Sequence, residues 1–78
     1  MTDSQIIDLF LKRLEQAITE TDFKYGALCF QISRNILDNP EDCEECVNDT
    51  YMALWESIPP TIPKSLKALA IKVFLYTL

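Results

Sequence analysis

A chain of 78 residues makes one small domain, burying only about 60–65% of its unfolded surface and therefore marginal on its own. Its hydrophobic share of 49% and charged share of 24% exclude an intrinsically disordered chain. Its net charge of −5 counts against nucleic acid as the dominant partner and favours a basic protein surface.

A single glycine and few β-branched alternations predict an all-α fold, one domain over residues 1–78 in which four helices are legible. Met1-Thr2-Asp3-Ser4 lacks the basic n-region of a secretory signal. The longest apolar-rich run, Leu66–Leu78, is interrupted by Lys67 and Lys72 and is too short to span a bilayer. A cytoplasmic protein with no membrane partner is expected, its three cysteines reduced.

In chain order, the first predicted helix runs from Asp3 or Ser4 to Arg13, with Ile6, Ile7, Phe10, Leu11 and Leu14 at helical spacing. The second covers about Glu15 to Leu37. Its stripe is Ile18, Tyr25, Leu28, Cys29, Ile32 and Ile36, and Gly26 inside it marks a kink or a close helix crossing. Phe23 and Phe30 lie off the stripe and are expected to pack against the first and last helices.

The third helix has the clearest start. Asn39 suits the N-cap, Pro40 the first helical position, and Glu41 and Asp42 the first turn. At about 100° per residue, Cys43, Cys46, Val47, Thr50, Tyr51, Leu54 and Ile58 gather on one side. Glu41, Glu45, Asn48, Asp49 and Glu56 gather on the other, with Met52 and Trp55 on or beside them. An indole and a thioether among carboxylates suggest a docking face for a basic partner, although Trp55 could instead fold back on the second helix.

Pro59-Pro60-Thr61-Ile62-Pro63 makes a stiff connector. The last helix begins near Lys64 or Ser65. Leu66, Leu69, Ala70, Val73 and Phe74 form a stripe, but Ile71, Leu75, Tyr76 and Leu78 spread apolar surface around the remaining circumference. Such a helix expects burial on several sides, so either it pairs with another copy as a homodimer or it covers surface that a longer protein would cover differently.

Cys43-x-x-Cys46 is read as core packing rather than metal or redox chemistry. Zinc needs four ligands, the only other thiol is Cys29, and the chain has no histidine. No metal, cofactor or catalytic residue is expected, and no enzyme: there is no histidine base and no carboxylate placed with a nucleophile.

Lys24-Tyr25-Gly26-Ala27-Leu28-Cys29, Asn35 to Asp42, Glu44 to Tyr51 and Leu54-Trp55-Glu56-Ser57-Ile58-Pro59-Pro60 together resemble region 2 of bacterial RNA polymerase sigma factors of the extracytoplasmic-function group. The likeness extends through Pro63, Leu66-Lys67-Ala68 and Lys72. It implies a small all-α four-helix bundle whose third helix docks on the clamp coiled coil of the polymerase's largest catalytic subunit. Glu45, Asn48, Asp49 and Trp55 are its contact candidates, with Met52 nearby. It also implies promoter −10 DNA contacts by the connector and last helix, through Lys64, Lys67 and Lys72, with Phe74 and Tyr76 as aromatic candidates. An anti-sigma protein is a further partner it allows.

The sequence departs from that pattern at its end. After Lys72 the family continues with a polar, basic stretch such as Ile-Thr-Arg-Asn, where this chain has Val73-Phe74-Leu75-Tyr76-Thr77-Leu78. Leu69 stands where an aromatic is frequent, and the linker and second DNA-reading domain of a full sigma factor do not follow. The resemblance therefore implies a domain incomplete at its DNA-reading end, and an interaction module without promoter binding is the alternative.

Overall fold

The computed structural model describes residues 1–77. They form four helices and no strand: α1 (Asp3–Leu11), α2 (Gln16–Ile36), α3 (Pro40–Ser57) and α4 (Leu66–Thr77). The chain is a small all-α four-helix bundle. Leu78, which the sequence groups with the apolar residues of the last helix, lies outside the described residues.

Thr2 and Gln5 build a reciprocal capping box at the start of α1. The helix stops at Leu11, two residues short of the expected Arg13, because Arg13 adopts the left-handed conformation with φ of 58°. Leu14 N–H then donates to the Leu9 carbonyl, and Arg13 N–H to that of Phe10, both at 3.0 Å. This is the Schellman arrangement, with arginine in the place where glycine is usual. The left-handed region costs a non-glycine residue about 1–2 kcal/mol, so the Arg13 side chain must contribute elsewhere. The reversal also leaves Leu11 and Leu14, expected on the core stripe, exposed.

Small residues dominate the inner side of α2: Ala17, Thr21, Gly26, Cys29 and Ser33 are buried. They let α3 approach closely. A Cβ at Gly26 would collide with the Asp22 carboxylate and stand 3.2 Å from the Tyr51 hydroxyl, so the bare backbone at Gly26 makes room for Asp22 and for the approach of Tyr51 from α3. Across that gap Tyr51 donates to Asp22 at 2.7 Å. The large residues of the expected stripe are less covered. Ile18, Tyr25 and Ile32 pack against the core from its edge, whereas Leu28 and Ile36 are exposed. Phe23 is 90% exposed, contrary to the expectation that it packs against another helix. It lies about 140° around α2 from the middle of the inner face, beyond the reach of α1 and α4.

On α3 all seven residues assigned to the inner side, Cys43 through Ile58, are buried. Asn39 Oδ1 accepts from Glu41 N–H at 2.8 Å, as expected of its N-cap. α4 packs chiefly on α3, and α3 on α2, while α1 bridges α2 and α4. The centre of the bundle is Ile6 and Phe10 from α1, Leu54 and Ile58 from α3 and its cap, and Leu66 and Phe74 from α4. At the far end of α1, Asp3 accepts from Lys24 Nζ at 2.6 Å and from the Tyr25 hydroxyl at 2.7 Å. Burial works to raise the pKa of Asp3, but these donors outweigh it and hold the carboxyl below its ordinary value.

Candidate functional site

The outward face of α3 collects charge of one sign. Six of the chain's carboxylates, Glu41, Asp42, Glu44, Glu45, Asp49 and Glu56, lie on this helix, and it carries no lysine or arginine. None of the six enters an ion pair or a side-chain hydrogen bond among the described residues, where the two ion pairs are Lys12–Asp8 and Lys24–Asp3. Glu45, Asn48, Asp49 and Met52 are exposed, Met52 at 52%. Steps of three and four residues put them on one side of the helix, spanning about 10 Å along its axis. Four of the five expected docking residues thus stand together in water.

The two edges of this face differ. Asn48 and Glu44 border a groove against α2, which Asp22, Ala27 and Phe30 line from the other side. Glu45, Asp49 and Asp42 border a cleft that ends at Leu37 and Thr77. Cations approaching from the α4 side therefore meet three carboxylates, while the α2 side offers a mixed polar and aromatic rim.

Trp55 is placed differently from the expectation that it stands clear among the carboxylates. It is half-buried and packs against the core. The Arg13 guanidinium lies 3.8 Å from the ring centroid, and the Phe10 ring is tilted against it at 6.3 Å. The same guanidinium donates to the Trp55 carbonyl and, at 2.9 Å, to the Ile58 carbonyl. It satisfies carbonyls at the end of α3 that have no partner within the helix. This is the compensation for the left-handed backbone at Arg13. The remaining edge of Trp55 forms, with Met52, Glu15, Ile18 and Thr19, an open cleft of about 280 Å³ between the end of α3 and the start of α2. Trp55 is therefore a wall of a cleft, already engaged by one cation.

Arg13 is the residue that the sequence reading missed. The absence of glycine after Leu11 hid the turn, and the partner carbonyls lie more than forty residues away in sequence.

The three lysines expected to face DNA are all exposed but do not converge. Lys67 and Lys72 are five residues apart on α4, which turns them about 140° from one another. Lys64 precedes the helix. Lys67 lies near enough to Asp3 to favour its ionised form. Of the aromatic candidates, Phe74 is buried in the core and Tyr76 is exposed. Phe74 is unavailable for stacking on bases in this fold, which corrects that expectation.

Cys29, Cys43 and Cys46 are buried and unpaired in disulfides, as read from the sequence. Burial raises the pKa of the Cys29 and Cys46 thiols, keeping them neutral near pH 7. Among the described residues no group of three histidine, cysteine or acidic side chains is arranged to hold a metal ion, and no helix is long and apolar enough to cross a membrane. No family model, curated protein or solved structure matches the chain.

Proposed function

We infer that this chain is a protein-docking module whose α3 holds the clamp coiled coil of a bacterial RNA polymerase, in the manner of sigma factor region 2. The observation that carries the reading is the outward face of α3: Glu45, Asn48, Asp49 and Met52 exposed together, on a helix whose carboxylates have no cationic partner among the described residues. Lysines and arginines on a partner helix would pair with Glu45 and Asp49. Asn48 would donate and accept at the centre, and Met52 would supply adaptable apolar contact. Trp55 offers its free edge, with Ile18, as one side of a cleft for an anchoring side chain. Such a complex forms quickly and weakens with salt, because its charges lie at the surface. The module would then work in the cytoplasm, where the polymerase is, and by binding alone.

The test is the affinity of the intact chain for the isolated clamp coiled coil. Asp49→Lys and Asn48→Ala are expected to weaken binding by tenfold or more, roughly 1.4 kcal/mol, without changing the melting temperature. Wild-type affinity in both variants overturns the reading.

The promoter half of the resemblance rests on charge alone. Lys64, Lys67 and Lys72 are the only Lys or Arg residues beyond α3, and duplex opening needs aromatic stacking surfaces alongside cations. With Phe74 in the core, Tyr76 is the aromatic left on α4 to stack a base. Binding of a single-stranded −10 oligonucleotide, lost on charge reversal at Lys72, is the result that would favour promoter contact. An anti-sigma protein, if one serves this chain, would compete with whichever of these surfaces is used.

A further inference from the structure

From Pro59 to Thr77 the chain carries three lysines and no carboxylate. All three are exposed, and none enters an ion pair among the described residues. The outward side of α4 is apolar as well. Ala68, Ile71, Lys72, Leu75 and Tyr76 line an open groove of about 560 Å³, with Leu75 56% and Tyr76 82% exposed. At about 100° per residue, Ala68, Ile71 and Leu75 form a stripe about 60° wide, with Lys67 on one flank and Lys72 on the other. Ala68 makes that stripe low at one end, where another backbone can come close.

We propose that this face binds an amphipathic helix of another protein, one whose apolar ridge is edged by carboxylates. The stripe supplies the apolar contact and the two lysine flanks set the sign of the partner's charge. A second copy of the chain fits less well. Two α4 helices laid together bring lysine flanks against lysine flanks with no carboxylate on either helix. An anionic bilayer would meet the chain's net charge of −5, with Asp42, Glu45 and Asp49 beside the end of α4. Nucleic acid would satisfy the lysines but leave Ile71 and Leu75 against a charged backbone. The proposal is independent of the reading of α3, because the two surfaces lie on different helices.

The test uses the intact isotopically labelled chain and four probes: a short synthetic helix with a leucine ridge edged by glutamates, the same helix with lysines for the glutamates, a single-stranded oligonucleotide, and anionic phospholipid vesicles. The acidic helix is expected to shift the amide resonances of residues 67 to 76, and to bind about tenfold or more tighter than the basic one. Leu75→Glu and Lys72→Glu are each expected to weaken it about tenfold or more while leaving the melting curve unchanged, since these positions are exposed. Equal binding of both helices, or of neither, overturns the proposal. So does tighter binding of the oligonucleotide or the vesicles at the same resonances, or a dimer in sedimentation that Leu75→Glu dissociates.

Discussion

α3 and α4 are alike on the side that faces the bundle and opposite on the side that faces water. Both turn a stripe of fully buried residues inward, Cys43, Thr50 and Leu54 on one and Leu66, Ala70 and Phe74 on the other. Outward, α3 shows six carboxylates and one methionine, while α4 shows aliphatic surface between lysines. Packing fixes the inner faces, and both obey it. The outer faces are not fixed by packing, and the two proposals rest on their divergence: a cationic partner for α3, an acidic amphipathic helix for α4.

The likeness of the inner faces is broken most easily by cavities. Leu54→Ala on α3 is expected to cost about 2–5 kcal/mol and Phe74→Ala on α4 about 3–5 kcal/mol. In so small a domain either loss approaches the whole stability, about 4–12 kcal/mol at typical values per residue. Urea denaturation measures both. A silent change at Phe74 would mean that α4 is not packed as its inner stripe requires.

A smaller effect concerns what ties the end of α3 to the rest. Arg13→Ala keeps a left-handed non-glycine residue but loses the stack on Trp55 and both carbonyl contacts, with an expected loss of about 1–2 kcal/mol. Arg13→Gly loses the same contacts and relieves the backbone. It should recover about 1 kcal/mol of that loss. Both variants should shift Trp55 emission to longer wavelength, because the indole face opens to water. Equal stability of the two would show that the backbone at residue 13 is unstrained.

The outer faces sharpen the comparison by their indifference to folding. Glu45→Lys with Asp49→Lys on α3, and Lys67→Glu with Lys72→Glu on α4, should each stay within about 0.5 kcal/mol of wild type per site. A larger destabilisation of either pair would assign that face to the fold rather than to a partner.

The smallest effects are those of pH. The pKa of Tyr51 is raised by burial first and by its hydrogen bond to Asp22 second. Its contribution is complete below the ordinary tyrosine value of 10.0 and is lost as pH rises beyond it. Asp3 has the opposite sign. Its carboxyl is held low by Lys24 and Tyr25 against burial, so its contribution is present above the ordinary value of 3.8 and is lost as pH falls below it. Thermal melts across the pH range should therefore fall off at both ends, and Tyr51→Phe should remove part of the alkaline loss.

How far the sequence could be read follows the same division. The start and inner face of α3 were legible, since Asn39, Pro40 and the spacing of seven inward residues are local signals. The crossing at Gly26 was legible as one of two possibilities, because a lone glycine inside a helical pattern signals close approach without naming the neighbour. The end of α1 was not, because the turn there uses arginine in a glycine position and is stabilised by carbonyls of α3. Trp55 was placed correctly around the helix but not in depth, since its cover comes from Phe10 and Arg13. Phe23 shows the converse: hydrophobicity alone suggested packing, and the neighbouring helices do not reach it. The divergence of Lys67 and Lys72 could have been read from their five-residue spacing.

Nuclear magnetic resonance titration of the intact chain with the clamp coiled coil most directly tests whether the outward face of α3 is built for a cationic partner. Perturbed amides are expected to centre on residues 45, 48, 49 and 52, to extend to the cleft beside Trp55, and to fade with added salt. Perturbations confined to α4, or none at concentrations that saturate a sigma factor region 2 run in parallel, would contradict it.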